Sequence, residues 1–393
     1  MINEYPLAQS SWGAEEKQAI QRVLSSGRFT MGSEVEKFES QLSDFHKTKH
    51  AIMVNSGSSA NLIAATALTF HQEGSPCIGV KRGYVIAPAV SWSTTYFPFS
   101  QLGYKIKLVD VDESFNIDVS KVKKYIDKDC RGIITVNTLG VPAQNNKLKA
   151  IADKYKIFLF EDNCESFGAK LNKKLCGTFG HTGTLSFFFS HHLQTMEGGA
   201  ILTDNDDIAN LCRSLRAHGW ARDGDYKSLI KEVATDEFYD QFKFVLPGYA
   251  VRPLEMSGAI GQSQLKKWPN QLKGRLNNAK IFQELCSKKS YIQPQKEIGE
   301  SSWFGFGGLF SLGRQERLKL WKFLLSKGVE SRPIISGNFF NQPVSKYLDI
   351  EKLDKLVNAD KIDESGMFFG NQEKDLSQEI EYLFKNLDAF FKP

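Results

Sequence analysis

The chain has 393 residues, 41% hydrophobic and 24% charged, with a formal net charge of +5; this is the balance of an ordinary soluble globular protein, long enough for two domains or one large domain with an appendage. Lysine and arginine are scattered rather than massed, which excludes a nucleic-acid footprint, and no apolar run approaches the ~18–20 residues of a membrane span. Met1–Pro6 shows no basic stretch ahead of an apolar core, and the six cysteines (Cys77, Cys130, Cys164, Cys176, Cys212 and Cys286) are dispersed without a CxxC pair or zinc spacing, so a cytoplasmic protein with reduced thiols and no metal is expected.

In chain order, short apolar runs at Ala51–Val54, Tyr84–Val90, Ile106–Val111, Gly132–Val136 and Ile157–Glu161 read as strands. Helix-like stretches fall between them at Ala60–Phe70, Ser120–Ile126 and Leu148–Tyr155. Strands bracketed by helices imply βαβ crossovers and a mostly parallel sheet covered on both faces. Ala200–Asp204 reads as a further strand after the Glu197-Gly198-Gly199 turn. From Glu255 the pattern changes. Glu255–Gln283 is long helical sequence, expected to be interrupted at Pro269. Apolar segments around Trp303–Leu312, a helix over Gln315–Lys327 and a Pro/Gly/Asn-rich stretch at Arg332–Pro343 follow. The expectation is a large domain over residues 1–254 and a smaller C-terminal domain over 255–393.

Three segments at strand ends carry candidate chemistry, as ligand sites do in such sheets. Asn55-Ser56-Gly57-Ser58-Ser59-Ala60-Asn61 opens a helix. Gly57 lets the backbone approach an anion, and the following amides sit at a helix N-terminus; the plainer reading is a serine-rich cap. The segment lacks both the Walker lysine and the GxGxxG spacing. In Ala89-Val90-Ser91-Trp92-Ser93-Thr94-Thr95, Trp92 can stack on a planar ring or lie in the core. Glu161-Asp162-Asn163-Cys164-Glu165-Ser166 ends an apolar strand. A carboxylate buried there needs a partner, unless it only caps a loop.

The fourth segment runs Leu185-Ser186-Phe187-Phe188-Phe189-Ser190-His191-His192-Leu193-Gln194-Thr195-Met196-Glu197-Gly198-Gly199-Ala200. It resembles the cofactor-lysine segment of the DegT/DnrJ/StrS sugar-aminotransferase family, with His191 where the lysine stands. No lysine occurs between Leu175 and Lys227, so no near neighbour replaces it. The other three segments match the same family in the same order, as do Arg216-Ala217-His218-Gly219-Trp220 and Pro247-Gly248-Tyr249-Ala250-Val251-Arg252. The resemblance runs from about Pro6 to the C-terminus.

The resemblance implies an aspartate-aminotransferase-like fold of PLP fold type I, and a pyridoxal or pyridoxamine 5′-phosphate (PLP or PMP) cofactor that is not covalently bound. It implies that Gly57, Ser58 and Ser186 hold the phosphate, Trp92 stacks on the ring, Asp162 pairs with the pyridine nitrogen and Glu165 lies near the phenolic oxygen. His191 would be the catalytic base, since an imidazole shuttles protons near neutral pH. His218, Arg252 and Arg332 are candidate substrate-binding residues. The family's histidine-bearing members are sugar 3-dehydratases of dideoxysugar (colitose, O-antigen) biosynthesis. By resemblance the substrate is a GDP-linked 4-keto-6-deoxy sugar, the amino donor L-glutamate, and the assembly a homodimer. A mildly basic chain suits an anionic nucleotide substrate. A related iron–sulfur branch needs clustered cysteines, which this spacing lacks. A nucleotide-sugar 4-aminotransferase and a non-catalytic sensing relative are the alternatives. One departure is Ala250, where the family usually has an asparagine that reaches the phosphate of the partner subunit's cofactor.

Overall fold

The structure, a computed structural model, describes residues 4–73, 81–223, 237–240 and 242–391; Cys77 lies outside them. The helices are α1 (Ala14–Ser26), α2 (Ser33–His46), α3 (Gly57–Glu73), α4 (Ser93–Gln101), α5 (Val119–Val122), α6 (Asn145–Tyr155), α7 (Asp206–Leu215), α8 (Glu237–Asp240), α9 (Glu255–Ser287), α10 (Arg314–Ser326), α11 (Val357–Ser365) and α12 (Ser377–Phe391). The strands are β1 (His50–Val54), β2 (Tyr84–Pro88), β3 (Lys105–Val109), β4 (Cys130–Val136), β5 (Phe158–Asp162), β6 (Lys170–Leu171), β7 (Lys174–Leu175), β8 (Thr182–Ser186), β9 (Gly199–Thr203), β10 (Ile292–Pro294), β11 (Gly305–Phe310), β12 (Ile350–Lys352) and β13 (Gly366–Gly370).

The large sheet has the order β1-β9-β8-β5-β4-β2-β3-β12. Its pairings are parallel except those of β9, which runs antiparallel to both β1 and β8. The expected α/β fold is therefore present, and the strand expectations fall within two residues of the observed bounds. β2 and β5 are buried along their whole length, as near-continuous apolar strands covered on both faces must be. Helix α3 buries Ala60, Ile63, Ala64, Ala67 and Leu68 on the sheet, and its small residues allow the close approach. All the parallel strands point the same way, so the loops that follow β1, β2, β4, β5 and β8 meet at one edge.

The C-terminal residues form the antiparallel sheet β10-β11-β13, whose apolar cluster includes Phe306, Phe310, Phe369, Leu383 and Phe384. β12 instead joins the large sheet, parallel to β3. Behind it the buried Asp110 accepts from the first-turn amides of α11, Asn358 N at 3.1 Å and Ala359 N at 2.9 Å.

Two local expectations are corrected. α9 runs unbroken through Pro269. One missing N–H and a crowded carbonyl cost about 3 kcal/mol, and packing on both sides of the proline outweighs that: Ala259 and Ile260 are buried ahead of it, and Trp268, Ala279 and Phe282 next to or beyond it. The expected helix at Ser120–Ile126 is one α-turn followed by a 3-10 turn. Asp118 caps it by accepting from Ser120 N, but only Val119 and Val122 are buried, too little to extend it. No helix among the described residues is long and apolar enough to cross a membrane.

Candidate active site

A cavity of about 420 Å³ opens where the strand-end loops meet. Ser56 and, from the start of α3, Gly57, Ser58 and Asn61 line it, with Ser91, Trp92 and Thr94 from the turn after β2 and the start of α4. Asp162, Cys164 and Glu165 come from the end of β5, and Ser186, Phe188, Ser190, His191 and Glu197 from the connection between β8 and β9. Phe304, Arg332, Pro333, Ile335 and Phe368 close it from the C-terminal part of the chain. All seven residues expected to serve catalysis or cofactor binding thus face one cavity.

One end is a cradle for an anion. α3 begins at Gly57, so the first-turn amides lack carbonyl partners within the helix. Ser56 Oγ takes the Ser59 amide at 3.1 Å, leaving those of Gly57 and Ser58. A Cβ on Gly57 would stand 2.6 Å from Ser186 Cβ and 3.0 Å from Cys164 Sγ, so only glycine allows this approach. The Ser58 hydroxyl is 2.8 Å from that of Thr94, at the same end.

The floor is polar and fully bonded. Asp162 Oδ2 accepts from Asn61 Nδ2 at 2.8 Å and Thr95 Oγ1 at 2.7 Å, and Oδ1 accepts from Cys164 N at 3.2 Å. Glu165 accepts from the backbone of Leu139 at 2.9 Å. Burial first, and the neighbouring Asp162 charge, push Glu165 up to about 7. Trp92 N-caps α4 without a side-chain cap; its ring is 58% exposed and lines the cavity, an open aromatic face.

The opposite wall is aromatic. His191 lies between Phe188, at 6.0 Å between ring centroids, and Phe304, at 5.1 Å. Its Nδ1 is buried with no hydrogen-bond partner among the described residues. Burial, and behind it the Arg275 guanidinium, hold His191 down at about 4. His192 points away from the cavity, packs on Trp268 and Phe304, and donates from Nε2 to Ser302 O at 3.3 Å. Arg275 is itself buried; Nη1 donates to the carbonyls of Trp303, Phe304 and Asn371 at 3.2, 3.4 and 2.9 Å, and the Glu373 carboxylate acts on it only through its charge. Burial brings Arg275 down to about 10.

Arg332 lines the cavity. His218 and Arg252 do not line it: they pair with each other, Arg252 Nη1 to His218 Nε2 at 2.9 Å. Sequence reasoning missed Asn61, Thr95, Phe304 and Arg275. Asn61 left one signal, a polar side chain amid the apolar run of α3; Phe304 and Arg275, distant in the chain, left none.

The profile of the DegT/DnrJ/EryC1/StrS aminotransferase family matches residues 10–384. The chain belongs to this family. A GDP-4-keto-6-deoxy-D-mannose 3-dehydratase of Yersinia pseudotuberculosis is 46% identical over 98% of both chains. The crystal structure of a GDP-4-keto-6-deoxymannose-3-dehydratase mutant with bound GDP-perosamine is similar at a TM-score of 0.91 and 44% identity, covering 98% of this chain and 100% of that one. A GDP-4-keto-6-deoxymannose-3-dehydratase with a trapped PLP-glutamate geminal diamine matches at 0.90 and 44%, with the same coverage.

The residues present fit the family's cofactor. The amide cradle could take a phosphate, the open Trp92 face could stack on a planar ring, and the Asp162 carboxylate could pair with a protonated ring nitrogen. No lysine among the described residues lines the cavity.

Proposed function

We propose that the protein is a PLP/PMP-dependent GDP-4-keto-6-deoxy-D-mannose 3-dehydratase. The observation that carries this reading is His191 in the lysine's place inside an otherwise complete cofactor cavity. Its support from relatives is the 46% identity to a protein of that name. When bound, the cofactor supplies an electron sink and, in its amino form, the amine that engages the 4-keto group. Gly57 and Ser58 amides and the Ser186 hydroxyl hold its phosphate, Trp92 covers its ring, Asp162 pairs with the ring nitrogen, and Glu165 stands near the ring's oxygen. His191, held neutral, takes a proton within the cavity and returns it. Arg332, which lines the cavity, meets the sugar nucleotide.

The atoms balance without another reagent. The sugar's 3-hydroxyl leaves and a hydrogen takes its place, and glutamate is oxidised to 2-oxoglutarate with release of ammonia, supplying two electrons. With no lysine to recover the amino group, ammonia is the expected fate of nitrogen. The purified protein should therefore consume the GDP-ketosugar with PLP and glutamate, and yield equal amounts of ammonia and a 4-keto-3,6-dideoxy sugar. An amino sugar without ammonia would establish a 4-aminotransferase instead, and no turnover with no cofactor uptake a sensing relative.

We also propose a cytoplasmic homodimer. Exposed apolar side chains support it: Trp92 at 58% stands at the cavity, Phe189 at 50% lies in the connection between β8 and β9, and Phe29 at 50% and Leu254 at 55% flank the Thr30–Leu254 bridge, the kind of surface a partner covers. Sedimentation should give twice the chain mass. The division at 254/255 is likewise a proposal, supported by the separate apolar cluster of the small sheet and tested by limited proteolysis.

A further inference from the structure

We propose that Asn61 and Thr95 are positioning residues for Asp162, and that Thr184 and Ser91 set their donor direction from behind. The proposal rests on the cofactor reading above and concerns residues that no part of that reading uses.

All five side chains are buried, Asp162 the most open at 5%. They come from different elements: Asn61 from α3, Ser91 and Thr95 from the turn and first residues of α4, Thr184 from β8 and Asp162 from the end of β5. One carboxylate oxygen, Oδ2, takes both Asn61 Nδ2 and Thr95 Oγ1. The donor direction is not free to reverse. Asn61 Nδ2 also faces the carbonyl of Thr94 at 3.3 Å, and Asn61 Oδ1 accepts from Thr184 Oγ1 at 2.6 Å. A flipped amide would set its oxygen against two acceptors. Thr95 Oγ1 already accepts from Ser91 Oγ at 2.8 Å, so its own proton goes to Asp162. Two donor chains thus converge on one oxygen, Thr184–Asn61 and Ser91–Thr95. With the Cys164 amide on Oδ1, the carboxylate can neither rotate nor tilt without breaking a hydrogen bond. A pair between carboxylate and ring nitrogen depends on angle as well as distance, and a fixed acceptor needs no reorganisation during turnover.

The test is binding to the cofactor-free protein, read by absorbance titration and independent of sugar turnover. Two probes are used: PLP, and 1-deazapyridoxal phosphate, in which a C–H replaces the ring nitrogen. Thr95→Val is nearly isosteric and removes one donor; Asn61→Leu removes the other. Each should weaken PLP about tenfold, as loss of a hydrogen bond to a charged group does, and leave the deaza analogue within about twofold of wild type. Thr95→Ser, which keeps the hydroxyl, should return PLP affinity to within about twofold. Unchanged PLP affinity in Thr95→Val overturns the proposal. So does an equal loss for both probes, which marks a general packing defect. If Asn61→Leu does not fold, Thr95→Val decides alone. A wild-type protein that takes up no PLP overturns the cofactor reading itself, before any variant is compared.

Discussion

On the Asp162 side of the cavity, every carboxylate contact is a hydrogen bond shorter than 3.3 Å, and the donors are held in turn by further side chains. On the His191 side the neighbours are rings, and Nδ1 has no partner among the described residues. The two walls serve opposite needs. A group that must keep its charge through a reaction is best held by fixed dipoles. A group that must gain and lose a proton is hindered by strong partners on either form. Burial keeps the imidazole neutral, and Arg275, pinned to three carbonyls behind Phe304, adds a positive charge that acts the same way.

The sharpest way to break this contrast is at His191. His191→Asn keeps a hydrogen-bonding side chain of similar bulk and loses proton transfer. Dehydration, followed as ammonia release, should fall by about 10²–10⁴-fold, the contribution of a positioned acid–base group. A near wild-type rate would move the base elsewhere. His191→Lys should abolish most dehydration as well and create a covalent anchor. Borohydride treatment followed by mass spectrometry should then show an added pyridoxyl mass on Lys-bearing variant chains and none on wild type; an adduct on wild-type protein would contradict the noncovalent reading.

A smaller effect is expected outside both walls. Ala250 is exposed and forms an isolated bridge to Ala217, away from its own subunit's cavity. Ala250→Asn should tighten PLP roughly tenfold or more, taking about 1.5–3 kcal/mol for a hydrogen bond to a charged phosphate, if a partner subunit's cofactor lies within reach. Equal affinities in titrations of the two proteins would show that nothing is gained across the interface.

The smallest effect concerns acidity. His191, held at about 4 against an ordinary 6.5, should stay neutral in histidine NMR spectra until the pH nears that value. The sign for stability follows. Between about pH 6.5 and 4 the unfolded chain binds a proton that the folded site refuses, so this group lowers stability as pH falls through that window. Arg275→Met should raise the midpoint by up to about one unit, because a nearby like charge disfavours imidazolium. No movement would assign the whole depression to burial.

The two walls also differed in how far the sequence disclosed them. Gly57, Trp92, Asp162 and His191 stand at strand ends, where a parallel sheet puts ligands, and short motifs carried them. Asn61 and Thr95 lay inside motifs that were read only for other residues, because hydrogen-bond direction is invisible without coordinates. Phe304 reaches the cavity, and Arg275 stands behind it, through packing of the C-terminal sheet and α9, contacts separated by about a hundred residues. Pro269 misled for the related reason that a local helix penalty was outweighed by distant burial. The pairing of His218 with Arg252 had no local signal either.

β12 leaves a mark on how the chain is made. The strand that completes the large sheet, Ile350–Lys352, follows its partner β3 by some 240 residues. While synthesis proceeds, β3 presents unpaired backbone groups to any passing strand, and Asp110 waits for the α11 amides that will bond it. A chain released before Ile350 keeps almost every cavity residue, yet it carries an open, sticky edge. Such a product should be removed by chaperones and proteases as an aggregating nascent chain long before its missing chemistry could be noticed.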